Sequence, residues 1–306
     1  AHARVAMDAI AAGKHVYGEK PLAADTSSAR AILAAAEQAG LRVGCAPDTV
    51  LGTGIQTARA SLDAGDIGRP VAATAFMTTP GHELWHPEPE FYYRPGGGPL
   101  LDMGPYYLTA LVTLLGPVRR VTGMASTPQP TRRIATGPRA GEAFAVDDDI
   151  ATHLTGVLEH ADGALSTLIM SFDVQHTQLP YIEIYGTDGS LSVPDPNSFD
   201  GTVRRAGAGA GTGADTGADT GAGEDRWSDV PERGGYRDAG RGYGIADMAR
   251  AIADGTEHRA NGELAYHVLD VMESLTAATK SGRSIHVGST CARPAPVPLG
   301  ASPDEA

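Results

Sequence analysis

The first 45 residues alternate between helical and strand patterns, and no other feature of the sequence constrains the fold as strongly. Small and apolar residues return at helical spacing over residues 3–11 and again over residues 26–40. A short apolar run follows each helix, at residues 15–17 and 41–45. Helices and strands that alternate with short turns are typical of a parallel, doubly wound sheet, so we expect this segment to be part of one.

Strand patterns dominate the rest of the chain. Helical patterns are limited to residues 55–62, 100–115, 245–253 and 264–280. Strands are predicted at residues 71–79, 118–126, 150–158, 164–172, 181–185 and 190–193. Clustered strands with one inserted helix favour an α+β domain whose open sheet is mostly antiparallel. The predicted fold class is therefore α/β plus α+β.

Charge and cysteine content exclude several classes of protein. The 306 residues carry a net charge of −13, which argues against a nucleic-acid or anionic-membrane surface. No apolar run approaches the ~18 residues of a membrane span, and no signal peptide is recognisable. The two cysteines, Cys45 and Cys291, show no spacing that suggests a disulfide. We expect a soluble, cytoplasmic protein without nucleic-acid or membrane partners.

Two stretches have compositions that disfavour a packed core. Residues 206–225 repeat Gly, Ala, Asp and Thr with almost no apolar side chains, which predicts a disordered insertion. Their glycines neither follow a strand nor open a helix, and the G-x-G-x-x-G spacing never occurs, so a phosphate-binding loop is not favoured. The Pro-rich residues 291–306 are predicted to form a flexible tail.

The first candidate site follows the first predicted strand. Glu19, Lys20 and Pro21 stand at its carboxyl edge, where open α/β sheets bind ligands. Pro21 restricts Lys20 to extended conformations and so fixes the direction of its ammonium. Such a lysine could hydrogen-bond a substrate hydroxyl and stabilise a developing alkoxide. The alternative is a surface lysine in a turn.

A second candidate site lies at the start of the helix over residues 100–115. Three glycines, at residues 96–98, precede it and allow the backbone to approach a ligand closely. Asp102 and Tyr106 are four residues apart and share one helix face, so a carboxylate and a phenol could handle a proton near a lysine. The alternative is a capping aspartate and a core tyrosine.

Both segments resemble signatures of one enzyme family. Residues 12–23 read Ala-Gly-Lys-His-Val-Tyr-Gly-Glu-Lys-Pro-Leu-Ala. This closely resembles a motif of the glucose–fructose oxidoreductase, inositol dehydrogenase and MocA (Gfo/Idh/MocA) family. The three glycines, Asp102 and a titratable residue four positions later resemble its second motif. At this last position the sequence has Tyr106, which resembles the glucose–fructose oxidoreductase and dihydrodiol dehydrogenase branches, where the residue is also tyrosine. Many inositol-dehydrogenase-like members have histidine there. The resemblance covers about residues 1–195 and 243–287.

The resemblance implies a Rossmann-type dinucleotide-binding domain, NAD or NADP as cofactor, and hydride transfer at a CH–OH group of a sugar, polyol or related cyclic alcohol. The glutamate–lysine–proline motif lies beside the nicotinamide, often with a cis bond before the proline. Lys20 would hold the reacting oxygen and tune Tyr106, the acid or base, while Asp102 would orient the substrate. The implied cofactor-binding residues are His2, Glu19, Lys20 and Pro21.

The expected domains follow from this resemblance. They are a C-terminal remnant of an NAD(P)-binding Rossmann domain over residues 1–48, a substrate and oligomerisation domain over 49–290 with the 206–225 insertion, and the 291–306 tail. The family's G-x-G-x-x-G turn, which places pyrophosphate on a helix N-terminus, is not in this sequence. We therefore expect an N-terminally truncated chain that is inactive by itself. The alternative is a truncated, non-catalytic paralogue that serves as a binding or oligomeric scaffold.

A third segment, residues 82–86, matches the zinc metalloprotease motif H-E-x-x-H. That motif requires a helix, whereas Pro87 pushes the preceding residue away from helical geometry, so no metal site is predicted. Asp147, Asp148 and Asp149 are interpreted as an exposed acidic turn. The third segment is expected to be a loop over the substrate pocket or a loop that only packs against the protein, and the sequence does not favour one over the other. The candidate substrate-binding residues are His82, Trp85, His86 and Asp102.

The open sheet should leave one apolar face uncovered. The resemblance implies that this face serves self-association, so we expect a homodimer or homotetramer. The choice between NAD and NADP is not predicted, because the residue that decides it precedes this sequence in the family.

Overall fold

The computed structural model describes residues 1–207 and 227–302. Its first part alternates helix and strand as predicted, with α1 (His2–Ala11), β1 (Val16–Gly18), α2 (Thr26–Gln38) and β2 (Val43–Cys45). β1 and β2 pair in parallel. Asp25 caps α2 by accepting a hydrogen bond from the backbone N–H of Ser28 at 2.7 Å, which stabilises the helix by about 1 kcal/mol.

The second part contains one long sheet and four helices among the described residues. The helices are α3 (Thr53–Asp63), α4 (Gly98–Leu115), α5 (Tyr243–Asp254) and α6 (Gly262–Ser281). The longer strands are β3 (Pro70–Thr78), β4 (Val118–Ser126), β7 (His153–His160), β8 (Leu165–Ser171), β9 (Ile182–Gly186), β10 (Gly189–Val193) and β11 (Val203–Gly207). The short strands are β5 (Thr131–Arg133), β6 (Ala143–Ala145), β12 (Ser228–Val230) and β13 (Ile285–His286).

The order of the long sheet is β12-β11-β10-β9-β3-β8-β7-β4-β13. Neighbouring strands run antiparallel except β3 and β8, which are parallel, so the sheet is mostly antiparallel as predicted. Strands β5 and β6 form a separate hairpin. The sequence patterns missed β5, β6, β11, β12 and β13, because the few residues of these strands show no clear alternation or apolar run.

The main core lies between one face of this sheet and the helices α4 and α6. α4 is buried almost all round, with residues 104–115 inaccessible or nearly so, which explains its nearly continuous apolar sequence. α6 also packs against α2 and β2, and α5 packs against β2, so the two parts of the chain share an interface. Pro105 cannot donate to the carbonyl of Leu101, so the hydrogen-bond ladder of α4 lacks one bond beside Asp102.

Two predictions need correction. β11 ends at Gly207, so the first two residues of the predicted 206–225 insertion belong to a paired strand, whereas 208–225 lie outside the described residues. The predicted tail packs against α3: Val297 is buried, and its N–H donates to the side chain of Gln56 at 2.9 Å. A proline-rich composition does not exclude packing when an apolar residue finds a pocket, and only residues 303–306 of the tail lie outside the described part.

No helix within residues 1–207 and 227–302 is both long and apolar enough to cross a bilayer.

Candidate active site

Lys20 lies just after β1, at the carboxyl edge where the sequence predicts ligand binding. Its ammonium donates to the backbone carbonyl oxygen of Asp102 at 2.5 Å and to Asp102 Oδ1 at 2.8 Å. Both side chains are only 16% exposed, so this ion pair is screened less by water than a surface pair would be. The bond between Lys20 and Pro21 is cis, a geometry that the resemblance associates with this motif.

The turn before α4 brings Asp102 to this lysine. Gly96 and Gly98 have φ values of +91° and +85°, a region that residues with a Cβ rarely adopt. A Cβ on Gly97 would lie 2.5 Å from the carbonyl oxygen of Tyr92, so no larger residue fits there. The glycine triplet is therefore needed for the close turn that starts α4 near the end of β1.

His82 binds the second carboxylate oxygen of Asp102. Its Nε2 lies 2.8 Å from Oδ2, and the buried ring packs against Tyr92 and Phe172. Because a carboxylate only accepts, Nε2 carries the hydrogen. Burial raises the pKa of Asp102, but the hydrogen bond from His82 and the charge of Lys20 outweigh it and hold this pKa below its ordinary value. Asp102 is therefore ionised at neutral pH.

Tyr106 is bound by a different cation from the expected one. Its hydroxyl oxygen accepts a hydrogen bond from Nη1 of Arg241 at 3.0 Å, and Nη2 of Arg241 donates to Oδ1 of Asn197 at 2.9 Å. The ammonium of Lys20 lies 5.3 Å from the centre of the Tyr106 ring, over its face. Lys20 thus contacts both Asp102 and Tyr106, but its hydrogen bonds go to Asp102.

The other predicted cofactor-binding residues adjoin Lys20. Nδ1 of His2, at the start of α1, lies 2.7 Å from the carbonyl oxygen of Pro21. The carboxylate of Glu19 accepts from the backbone N–H of Lys20 at 3.2 Å and is otherwise exposed. The structure therefore brings His2, Glu19, Lys20 and Pro21 together at one end of β1.

The predicted substrate-binding loop forms an aromatic surface that extends from His82 to solvent. The rings of His82 and Trp85 lie 5.1 Å apart, and the ring of His86 lies 5.4 Å from Trp85 and 5.3 Å from Phe91. Trp85 is 59% exposed and Phe91 is 55% exposed. Exposed aromatic rings beside a polar site can pack against the C–H faces of a ring-shaped ligand. His82 itself is buried against Asp102, and its contact with a substrate stays a prediction.

The geometry of the H-E-x-x-H segment differs from that of the zinc motif. His82–Leu84 form a 3₁₀ turn instead of an α-helix, so the two histidines do not stack on one helical face. Glu83 is buried and accepts hydrogen bonds from Arg132, at 3.0 Å, and from the hydroxyl of Tyr93. Within the described residues, no three His, Cys, Asp or Glu side chains are grouped to hold a metal ion.

Sequence patterns missed Arg241, Asn197 and the role of His82. Arg241 follows Tyr106 by 135 residues and stands in the loop before α5. The sole local signal is the pair of glycines at 240 and 242 that flank it and mark a turn. No motif or period links it to the helix that carries Tyr106, so the contact exists only in the folded chain.

Open space adjoins the end of β1. A Cβ added to Gly18 would meet no atom within 4 Å, so open space adjoins the last residue of the strand. Lys20 and Tyr106 place an ammonium and a phenol together near this space. Donors of this kind can serve an oxygen on a substrate bound against a nicotinamide.

Comparisons with known proteins match both parts of the chain to one family. Residues 1–46 match the family model of the oxidoreductase family with an NAD-binding Rossmann fold, and residues 55–192 match that of the GFO/IDH/MocA C-terminal domain. The chain is 31% identical over 232 residues to the dTDP-3,4-didehydro-2,6-dideoxy-alpha-D-glucose 3-reductase of Streptomyces violaceoruber, covering 68% of this chain and 66% of the relative. It is 28% identical over 195 residues to the 1,5-anhydro-D-fructose reductase of Ensifer adhaerens, covering 62% of this chain and 53% of the relative.

Among solved structures, the fold is similar to that of an NAD binding oxidoreductase from Klebsiella pneumoniae. The TM-score is 0.74 at 23% identity, over 94% of this chain and 77% of that one. The matched region spans between about half and two thirds of the length of the two curated relatives. These matches confirm the predicted fold class and family, and this chain belongs to the Gfo/Idh/MocA family of NAD-binding Rossmann-type oxidoreductases.

Proposed function

We propose that this protein is an NAD(P)-dependent oxidoreductase that acts on a CH–OH group of a sugar, a polyol or a related cyclic alcohol. The observation that carries the proposal is the convergence of Lys20, Asp102 and Tyr106 at the carboxyl end of β1. The three residues come from segments about 80 residues apart, yet they form one shielded cluster of an ammonium, a carboxylate and a phenol. Such a cluster suits reactions in which an alcohol oxygen gains or loses a proton.

When bound, the nicotinamide supplies or accepts the hydride. His2, Glu19, Lys20 and Pro21 would hold its nicotinamide end, because they lie together just after β1, whose last residue adjoins open space. The carboxyl edge of a parallel pair of strands is the usual ligand position in such sheets. Asp102 keeps the ammonium of Lys20 fixed and pointed away from bulk solvent.

The protein's own residues provide a path for the proton. Lys20 directs two of its three N–H groups to Asp102, and the third is available to the oxygen of the substrate. Tyr106 exchanges the proton with that oxygen, as a donor in reduction and an acceptor in oxidation. Asp102, ionised and held by His82, orients the substrate through its remaining acceptor capacity.

A sugar-like substrate fits the surroundings of this cluster. The exposed ring of Trp85 lies 5.1 Å from that of His82, which binds Asp102. Arg241 donates to Tyr106 and to Asn197, which adds polar groups next to the cluster. The two curated relatives are reductases whose names specify sugar substrates. We infer that the substrate here is a carbonyl or hydroxyl compound of the same broad class, without a preference between NAD and NADP.

We also propose that the protein associates with itself through the outer face of the long sheet. Met124, Thr155, Ile169 and Phe76 form one row across four adjacent strands on the face away from α4 and α6. Met124 is 80% exposed, and Val157 and Leu165, in the next two rows of the same face, are 39% and 49% exposed. A broad sheet face that exposes this many apolar groups is typical of a protein–protein interface.

The first test is a titration of NADH and NADPH into this chain, followed by the fluorescence of the nicotinamide. We expect saturable binding of at least one of them, weakened in Lys20→Ala and unchanged in Lys14→Ala, an exposed lysine on the same segment. Turnover is then measured with 1,5-anhydro-D-fructose and NADPH, and with D-xylose or myo-inositol and NAD or NADP. A folded chain that binds neither nucleotide and turns over none of these would agree with the expectation that it is inactive by itself. The same result after the family's G-x-G-x-x-G segment is joined to its N-terminus would contradict the proposal and favour the non-catalytic scaffold.

A further inference from the structure

The hydroxyl oxygen of Tyr106 has one charged partner among the described residues, and that partner is Arg241. Nη1 of Arg241 lies 3.0 Å from this oxygen, and its guanidinium carbon lies 5.4 Å from the centre of the ring. The guanidinium therefore approaches near the hydroxyl end of the phenol. Lys20 lies at a similar distance from the ring centre, 5.3 Å, but it donates its hydrogen bonds to Asp102.

The chemistry of arginine fixes the direction of this hydrogen bond. A guanidinium has donors and no acceptor, and it keeps its proton in proteins. The oxygen of Tyr106 is therefore always the acceptor. Its own O–H hydrogen is directed elsewhere, and no other described group hydrogen-bonds to this hydroxyl. The phenol is thus left with one hydrogen to donate to a molecule in the site.

Arg241 is held in this position from two sides. Oδ1 of Asn197, in the loop after β10, accepts from its Nη2 at 2.9 Å. The backbone N–H groups of Gly242 and Gly244 donate to the buried carboxylate of Asp48 at 3.0 and 2.9 Å, which fixes the turn that follows Arg241. A donor fixed in this way stabilises a developing charge without having to rearrange.

We propose that Arg241 is a positioning residue that acts through Tyr106, by directing the phenol proton towards the substrate and stabilising the phenolate left behind. This rests on the function proposed above. In reduction, the substrate carbonyl carbon receives a hydride from the reduced nicotinamide and its oxygen takes the proton of Tyr106. The products are the alcohol, oxidised nicotinamide and a phenolate that accepts a hydrogen bond from Arg241 until a proton from solvent restores the hydroxyl.

Lys20 and Arg241 have different roles in this proposal. Lys20 is occupied by Asp102 and has one N–H left for the substrate oxygen. Among the residues that the structure describes, Arg241 donates hydrogen bonds to Tyr106 and Asn197 and none to Asp102. Loss of Arg241 should therefore impair proton transfer while leaving the binding of the nicotinamide intact.

The first experiment detects the contact without turnover. The protein is labelled with ¹³C at Cζ of tyrosine, and the Tyr106 resonance is assigned by its absence in Tyr106→Phe. We expect this resonance to move in Arg241→Met and to return towards its original position in Arg241→Lys, which keeps a charged donor. Arg237→Met, which removes an exposed arginine paired with Glu232, should leave the resonance unchanged.

The second experiment tests the role in catalysis with a double-mutant cycle. For NADPH oxidation with 1,5-anhydro-D-fructose, or NAD reduction with D-xylose if that is the reaction observed, Arg241→Met should lower kcat roughly 10- to 100-fold. The dissociation constant of the nucleotide should stay within about 2-fold, and Arg241→Lys should recover part of kcat. In a Tyr106→Phe background the same substitution should lower kcat by less than about 2-fold, because the group it acts on is gone.

The outcomes separate this inference from the function on which it rests. An unmoved Tyr106 resonance in Arg241→Met, or an equal loss of kcat with and without the Tyr106 hydroxyl, would overturn the role of Arg241 even in an active enzyme. A moved resonance in a protein that turns over no substrate, even with the family's G-x-G-x-x-G segment joined to its N-terminus, would overturn the proposed function and leave the pairing of Arg241 with Tyr106 in place.

Discussion

The ammonium of Lys20 donates to two oxygens of Asp102, one of the backbone and one of the side chain, across 82 residues of sequence. The pair joins the end of β1 to the first turns of α4, so it connects the nucleotide-binding part of the chain to the part with the long sheet. Because both groups are mostly buried, water screens their attraction little, and the pair holds the ammonium of Lys20 in one position.

Replacing Lys20 by methionine keeps the length of the side chain and removes its charge and donors. We expect a loss of kcat of about 10²–10³-fold, as for the removal of a donor that stabilises a developing oxyanion. Circular dichroism and thermal unfolding should show a folded protein, since the site lies at the edge of the core. Lys14→Met is the control, and an equal loss of activity in both variants would contradict the assignment.

Replacing His82 by leucine should shift the pH profile of activity. His82 and Lys20 together hold the pKa of Asp102 below its ordinary value against the effect of burial, so removing one of them raises that pKa. Asp102 then becomes protonated at a higher pH, and the acidic limb of kcat should move upwards. His86→Leu, on the same loop, should leave that limb in place, and a profile of His82→Leu that matches the wild type would contradict this role.

Arg132 is predicted to be essential for stability instead of catalysis. Its guanidinium is 1% exposed and donates to Glu83 and Asp173, two buried carboxylates. Arg132→Met would leave both carboxylates without their cation, and we expect the free energy of unfolding to fall by about 3–5 kcal/mol. Urea unfolding measures the change, with the exposed Arg133→Met as control. A loss below about 1 kcal/mol would show that the cluster is not needed.

His267 should make the protein less stable in acid. Burial, opposed by the charge of Asp270, lowers its pKa to about 4, while its Nε2 accepts from the backbone N–H of Val118 at 3.0 Å. The folded state therefore stays neutral at this residue down to a lower pH than the unfolded state. The lowered pKa adds up to about 3 kcal/mol to the free energy of unfolding. This stabilisation is fully present above about pH 6.5 and is lost as the pH falls towards 4.

Urea unfolding between pH 7 and pH 4 measures this effect. His267→Gln keeps an acceptor and removes the titration, so its free energy of unfolding should depend less on pH. His286→Gln, an exposed histidine in β13, should retain the full dependence. His160, whose pKa burial also lowers, contributes in the same direction and keeps part of the slope in His267→Gln. Identical slopes in His267→Gln and the wild type would contradict the prediction.

The outer face of the long sheet should determine the oligomeric state. Val157→Glu places a charge in the centre of that face, between Thr122 and Thr167 on the neighbouring strands, where burial in an interface would be costly. Light scattering should report a dimer or tetramer for the wild type and a monomer for Val157→Glu. Ile245→Glu, an exposed apolar position on α5, should leave the mass unchanged. A monomeric wild type would contradict the proposal.

The regular elements could be predicted because their signals are local. Asp25 caps α2, the apolar run over residues 100–115 forms α4, and alternation in residues 153–160 marks β7. The glycines at 96–98 also predicted a turn, and Gly96 and Gly98 have the positive φ values that favour glycine. Short strands such as β5 and β12 were missed, because their pairing partners and not their own residues decide that they are strands.

The sequence by itself determined the alternation of the first 45 residues, the mostly antiparallel character of the second part, and the motif residues Lys20, Asp102 and Tyr106. Periodicity and turn chemistry depend on neighbours within a few residues, so they can be recognised without the fold. Only the tertiary structure decided that His82 binds Asp102, that Arg241 binds Tyr106 and that Val297 is buried. The contact of His82 with Asp102 spans 20 positions of sequence, and that of Arg241 with Tyr106 spans 135. The free energy of such contacts depends on distances and burial that only the complete fold creates.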